Sequence, residues 1–201
     1  MTIINKVSSK TLMPGITAVP DVVDAPTIGT ATDVGTSRAY NNGAATVTFT
    51  AQTTGGAASS FTATSSPGGL TASGASSPLT VTGLSSATSY TFSVQGVNSS
   101  GTWPASSASN SITATTVPQA PTIGTATDLV LSGQVSVTFT AGATGGAIVS
   151  TYTATSSPGG ITGTSSSSPI TVTGLTNGTA YTFTVTATNA NGTSSASSAS
   201  N

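Results

Sequence analysis

A chain of 201 residues in which Thr and Ser together number 77, and only seven side chains are charged, must present a neutral, hydroxyl-covered surface. Its net charge of −1 argues against a nucleic-acid partner, whose phosphates need clustered Lys and Arg, and strand-spaced Val, Ile, Thr, Phe and Tyr argue against a disordered Ser/Thr tract. With no Cys there is no disulfide framework or thiolate chemistry, and no stretch approaches the roughly 20 apolar residues of a membrane span.

In chain order, residues 1–24 belong to neither repeat and hold both lysines together with Ile3, Ile4, Val7, Leu12, Met13 and Ile16. Asn, Lys and Ser interrupt this stretch, so it lacks the apolar run of a secretory signal. Termini are commonly floppy, but these apolar side chains would be wasted in water. We therefore expect an arm that orders on a partner surface through those six residues. Asp21 and Asp24 supply fewer oxygens than calcium usually gathers, and no metal or other cofactor is expected.

From Ala25 onward the pattern has period two. Val47, Phe49 and Ala51, then Phe61 and Ala63, then Leu79 and Val81, then Tyr90, Phe92 and Val94 alternate with polar residues, as in strands with one buried face. TTGGA (Thr53–Ala57) and SSPGG (Ser65–Gly69) between them are turn signals. Trp103, in SSGTWPASS, has two readings: a ring folded over its own domain, or an exposed interaction residue. TTVPQAP follows, and Pro118 and Pro121 make it a short, semi-rigid joint.

The second half repeats the first. Val135, Val137, Phe139 and Ala141 form one alternating set, followed by Tyr152 with Ala154, Ile170 with Val172, and Tyr181, Phe183, Val185 and Ala187. Nothing offers a capped helical pattern, and short strands with such turns predict antiparallel β-sandwiches. Thr suits the outer face, where its branched Cβ favours extended backbone and its hydroxyl stays in water. The expected cores are Ile28, Val47, Phe49, Phe61, Leu79, Val81, Leu84, Tyr90, Phe92 and Val94 in the first half, and Ile123, Val137, Phe139, Tyr152, Ile170, Val172, Leu175, Tyr181, Phe183 and Val185 in the second.

The same thirteen-residue phrase stands twice, 91 positions apart: TGLSSATSYTFSV from Thr82 and TGLTNGTAYTFTV from Thr173. With APTIG, VTFTA and the SPGG turn, the succession resembles a bacterial or phage-type fibronectin type III domain. That resemblance implies an all-β chain with two tandem fibronectin type III-like, Ig-type β-sandwiches, over residues 25–116 and 117–201, after an extended N-terminal arm. It also implies that Tyr90 and Tyr181, six residues after Leu84 and Leu175, turn their hydroxyls back onto upstream backbone as a corner. Phe49 and Phe139 stand where the family usually has Trp, so a smaller core is implied. No Arg-Gly-Asp is present.

Ser106–Asn110 align with Ser197–Asn201, and the first half then continues SITATT, so the second half is expected to lack a final strand within these 201 residues. Continuation of the natural polypeptide past Asn201 is the first reading. A strand donated by another chain is the second, with GITAVP (Gly15–Pro20) as a donor resembling SITATT.

Without His, Cys or Glu, the usual general bases, thiol nucleophiles and most paired-carboxylate arrangements are missing, so no catalytic residues are expected. Asp33 and Asp128, each after GTAT, are expected to serve a turn twice. The Gly-rich loops lack the Lys of a phosphate loop, and the sequons at Asn98, Asn177 and Asn191 follow from composition.

The expected function is that of a non-enzymatic structural protein of a bacteriophage virion, as a capsid decoration, head or neck fibre, or tail-associated fibre. Its arm would hold capsid, neck or tail proteins, and its multi-copy domains would touch host-surface glycans weakly. It would be made in the host cytoplasm and reside on the virion surface. The alternative is a fibronectin type III segment of a secreted polysaccharide-degrading enzyme or cell-surface adhesin.

Overall fold

The computed structural model describes residues 23–201 except 53, 55, 131 and 132. Ile3, Ile4, Val7, Leu12, Met13, Ile16 and Asp21 lie outside the described residues. The first sandwich comprises β1 (Thr27–Asp33), β2 (Gly43–Thr50), β3 (Ser60–Ser66), β4 (Thr71–Gly74), β5 (Leu79–Leu84), β6 (Ser89–Asn98), β7 (Gly101–Thr102) and β8 (Ile112–Thr113). The second comprises β9 (Thr122–Asp128), β10 (Gln134–Thr140), β11 (Val149–Ser157), β12 (Thr162–Ser165), β13 (Ile170–Thr173), β14 (Thr182–Asn189) and β15 (Gly192–Thr193).

In the first, sheet β1-β2-β5 faces sheet β4-β3-β6-β7, with β8 paired to β6; in the second, β9-β10-β13 faces β12-β11-β14-β15. All the pairs are antiparallel. The period-two pattern dictates this layering, because it gives each strand one apolar face that only a second sheet can cover.

Two separate cores result. Val47, Phe49, Phe61, Leu79, Val81, Leu84, Tyr90, Phe92 and Val94 are buried in the first, and Val137, Phe139, Tyr152, Ile170, Val172, Leu175, Phe183 and Val185 in the second. Ile28, Ile123 and Tyr181 are only partly buried at their margins. Phe49 lies 4.8 Å from Phe61, and Phe139 lies 4.6 Å from Tyr152, centroid to centroid. Both tyrosine corners are formed: Tyr90 Oη accepts from Ser85 N at 3.0 Å, and Tyr181 Oη accepts from Thr176 N at 3.1 Å.

Trp103 does not present a binding face. It is 2% exposed, packs edge-on against Phe61 at 6.0 Å and lies over Gly96, so the interaction reading gives way to the packing one. The expected shrinkage of the core is thereby offset in the first sandwich by a Trp from the segment that follows β7. A Cβ on Gly96 would come within 2.6 Å of the Trp103 ring. At the equivalent positions, 91 residues on, the second sandwich has Ala187 and Ser194. Large-with-nothing has become small-with-methyl. We expect Gly96→Ala to cost about 1–3 kcal/mol in the natural background and close to nothing once Trp103→Ser has opened the space. Urea unfolding of the two single variants and the double variant checks this non-additivity.

The Ser-rich tails have a role that a reading by alternation misses. Ser194, Ser197 and Ser200 each donate a backbone N–H to β14, reaching the carbonyls of Ala187, Val185 and Phe183 at 2.8–2.9 Å. Their hydroxyls accept from the N–H groups of the same three residues at 2.9–3.0 Å. Ser106 and Ser109 do the same for Val94 and Phe92. A serine at every third position thus covers an otherwise open sheet edge without forming a regular strand.

Candidate functional site

Two places bring polar and apolar groups together at the ends of the sandwiches. One is the joint. Thr116 N donates to Gly145 O at 2.8 Å, Val117 N to Arg38 O at 3.0 Å, and Gln119 N to Ala143 O at 2.9 Å. Asn189 Nδ2, from the end of β14, donates to Thr116 O at 2.8 Å and to Thr144 O at 2.9 Å, and Asn191 Nδ2 reaches Thr116 O at 3.2 Å. Ser37 N donates to Asn191 O at 2.8 Å, from one sandwich to the other. The expected stiffness of Pro118 and Pro121 is therefore supplemented by hydrogen bonds on both sides of the linker. Thr116 is fully buried there.

Beside the joint lies a groove of about 340 Å³, lined among others by Ser37, Tyr40, Val117, Pro118 and Thr193. Tyr40 is 36% exposed, so the groove offers an aromatic face flanked by hydroxyls. None of its lining residues is charged.

The other place is the far pole of the second sandwich, a cleft of about 170 Å³ lined among others by Asp128, Val135, Leu175, Thr179 and Tyr181. Leu129 and Val130 beside it are 38% and 94% exposed. The Tyr181 phenol is held below its ordinary value because its oxygen accepts the Thr176 backbone N–H, with Thr176 and Thr179 hydroxyls adding to the effect and burial opposing it. Stability from this group therefore grows as pH rises toward the ordinary tyrosine range and is absent near neutrality.

Asp33 and Asp128, expected to serve one turn twice, differ. Asp33 accepts from both Thr115 N, at 3.1 Å, and the Thr115 hydroxyl, pinning the last strand of the first sandwich. Asp128 accepts from Val130 N at 2.9 Å and does serve a turn. The expectation is corrected for Asp33 because Thr115 reaches it from 82 residues away. Asp24 accepts from the Thr54 hydroxyl at 3.0 Å. No group of three or more potential metal-ligating side chains occurs among the described residues.

The family model for the Fibronectin type III domain matches residues 119–201. No curated protein matches the chain. Among solved structures, the chain is similar to one titled "Titin kinase and its flanking domains", at 27% identity and a TM-score of 0.37, over 42% of this chain and 16% of that one. It is also similar to "Crystal structure of chicken CNTN1 FN1-FN3 domains", at 17% identity and a TM-score of 0.41, over 88% of this chain and 67% of that one. The chain thus spans 16% of the length of the first of these structures. The strand order, the tyrosine corner and the family match agree: this all-β chain contains a fibronectin type III domain over residues 119–201.

Proposed function

We propose that the protein is a non-enzymatic structural and adhesive component of a bacteriophage virion, a decoration or fibre on the capsid, neck or tail. The observation that carries this reading is a stiff pair of hydroxyl-faced sandwiches with no His, Cys or Glu in the sequence. Such a body suits spacing and display. The Tyr40 groove supports weak recognition of host-surface glycans, because an aromatic face beside hydroxyls fits a sugar ring, and many copies multiply a weak contact. The arm, residues 1–24, fits attachment to other virion proteins through Ile3, Ile4, Val7, Leu12, Met13 and Ile16.

Mass spectrometry of purified particles from the source tests the proposal. Stoichiometric recovery of peptides from both sandwiches is the expected result. Their absence from particles, together with recovery from culture supernatant on a longer chain carrying a catalytic domain, would replace it with the secreted-enzyme reading.

A further inference from the structure

The loop that carries Tyr40 belongs to the first sandwich alone. Between APTIGTATD and VTFT the first repeat takes 13 residues and the second takes 8, so the first carries five more there. The extra length goes to the joint. Ser37 N donates to Asn191 O of the second sandwich, and Arg38 O accepts from Val117 N of the linker. Asn41 N donates to Ser86 Oγ at 2.9 Å, Ser86 N donates to Asn41 Oδ1 at 3.0 Å, and Ser86 Oγ lies 2.7 Å from Thr116 Oγ1. Ser37 and Asn41 are left-handed, with φ of 59° and 64°, a conformation that persists in residues with a Cβ where their surroundings enforce it.

Tyr40 thereby stands on a pinned loop beside a groove whose walls have three origins. Ser37 and Tyr40 come from the first sandwich, Val117 and Pro118 from the linker, and Thr193 and Ser195 from the second sandwich. Its volume of about 340 Å³ lies at the lower end of the roughly 300–1,000 Å³ usual for small-ligand sites. Val117 and Pro118 are buried, whereas Tyr40, Ser37, Thr193 and Ser195 are exposed. An aromatic ring beside uncharged, hydroxyl-bearing side chains suits a neutral sugar, whose C–H face can lie on the ring while its hydroxyls meet those of the walls.

Because its walls belong to both sandwiches, the groove is complete only while the joint is closed. A ligand that touches both walls binds the closed joint more tightly than an open one and by the same amount holds it closed. We propose that the joint is a ligand-set hinge: a neutral saccharide, seated against Tyr40 between Ser37 and Thr193, fixes the two sandwiches relative to each other and stiffens the pair. This coupling depends on the glycan reading of the groove and adds a consequence to it. Contact with a sugar-bearing surface then changes the mechanics of the protein as well as attaching it.

Hydrogen exchange of the full chain at Thr116 and Gln119, with and without maltotriose, cellotriose or N-acetylchitotriose, tests it. Thr116 is fully buried and its N–H is bonded across the joint to Gly145 O, so its exchange reports opening of the joint. At about ten times its dissociation constant, a trisaccharide that binds only the closed joint should slow both amides about tenfold. Tyr40→Ala changes an exposed side chain and leaves the backbone bonds of its loop in place, so it should abolish binding and slowing together. If none of the three trisaccharides binds, the glycan reading fails and the hinge with it. If one binds through Tyr40 yet leaves exchange at Thr116 and Gln119 unchanged, the glycan reading stands and the hinge is overturned. Slowing that survives Tyr40→Ala seats the sugar elsewhere and overturns the proposal as well.

Discussion

Phe92→Ala should remove about 3–5 kcal/mol from the stability of the first sandwich, and Phe183→Ala as much from the second. Each ring is 1% exposed, on the inward face of β6 or β14 between the two sheets, so truncation leaves a void that neither sheet can close without breaking its own ladder. A domain of this size is commonly stable by only about 5–15 kcal/mol, so either change consumes a large part of the margin. Tryptophan fluorescence isolates the first sandwich, because Trp103 is the chain's single Trp and sits in that core. Urea titration followed at Trp103 should move strongly for Phe92→Ala. A shift equivalent to less than about 1 kcal/mol would mean that the ring is not packed between sheets as described.

Gly145→Val should open the joint while leaving both cores folded. Gly145 has φ +72°, a region that costs a β-branched residue roughly 1–2 kcal/mol, and a Cβ there would lie 2.5 Å from Val117 O and 2.6 Å from Thr116 O. Those atoms are linker backbone, so relief requires the linker to move away, breaking the bond from Thr116 N to Gly145 O. With overpacking adding about 1–3 kcal/mol, local protection at Thr116 and Gln119 should fall by about thirtyfold or more in hydrogen exchange. Amides at the centres of β6 and β14 should keep their rates. Unchanged exchange at Thr116 would show that the hydrogen bonds across the linker contribute little to its order.

The period-two runs were legible because burial of alternate residues is a local rule, which is why Phe49, Tyr152 or Val185 can be placed in a core without any partner in view. The repeated Leu84/Tyr90 and Leu175/Tyr181 spacing was equally legible, since the corner closes within a few residues. The Ser194, Ser197 and Ser200 ladder was hidden in what reads as low complexity. Its period of three becomes meaningful only once the edge of β14 lies alongside. Gly29 and Gly124 sit inside strands. There a Cβ would come within 2.4 Å of the Thr48 or 2.3 Å of the Thr138 hydroxyl.

The sequence by itself determined that this chain is all-β, folded as a repeated sandwich with threonine outward and aromatics inward, because side-chain alternation and turn chemistry act over a few residues at a time. Only the tertiary structure decided that Trp103 is core, that Asp33 and Asp128 part ways, and that a cleft of defined shape stands at the far pole. Those outcomes depend on groups as far as 82 residues apart meeting in space, and a distance of that kind is set by how whole sheets pack, which no short stretch of chain contains.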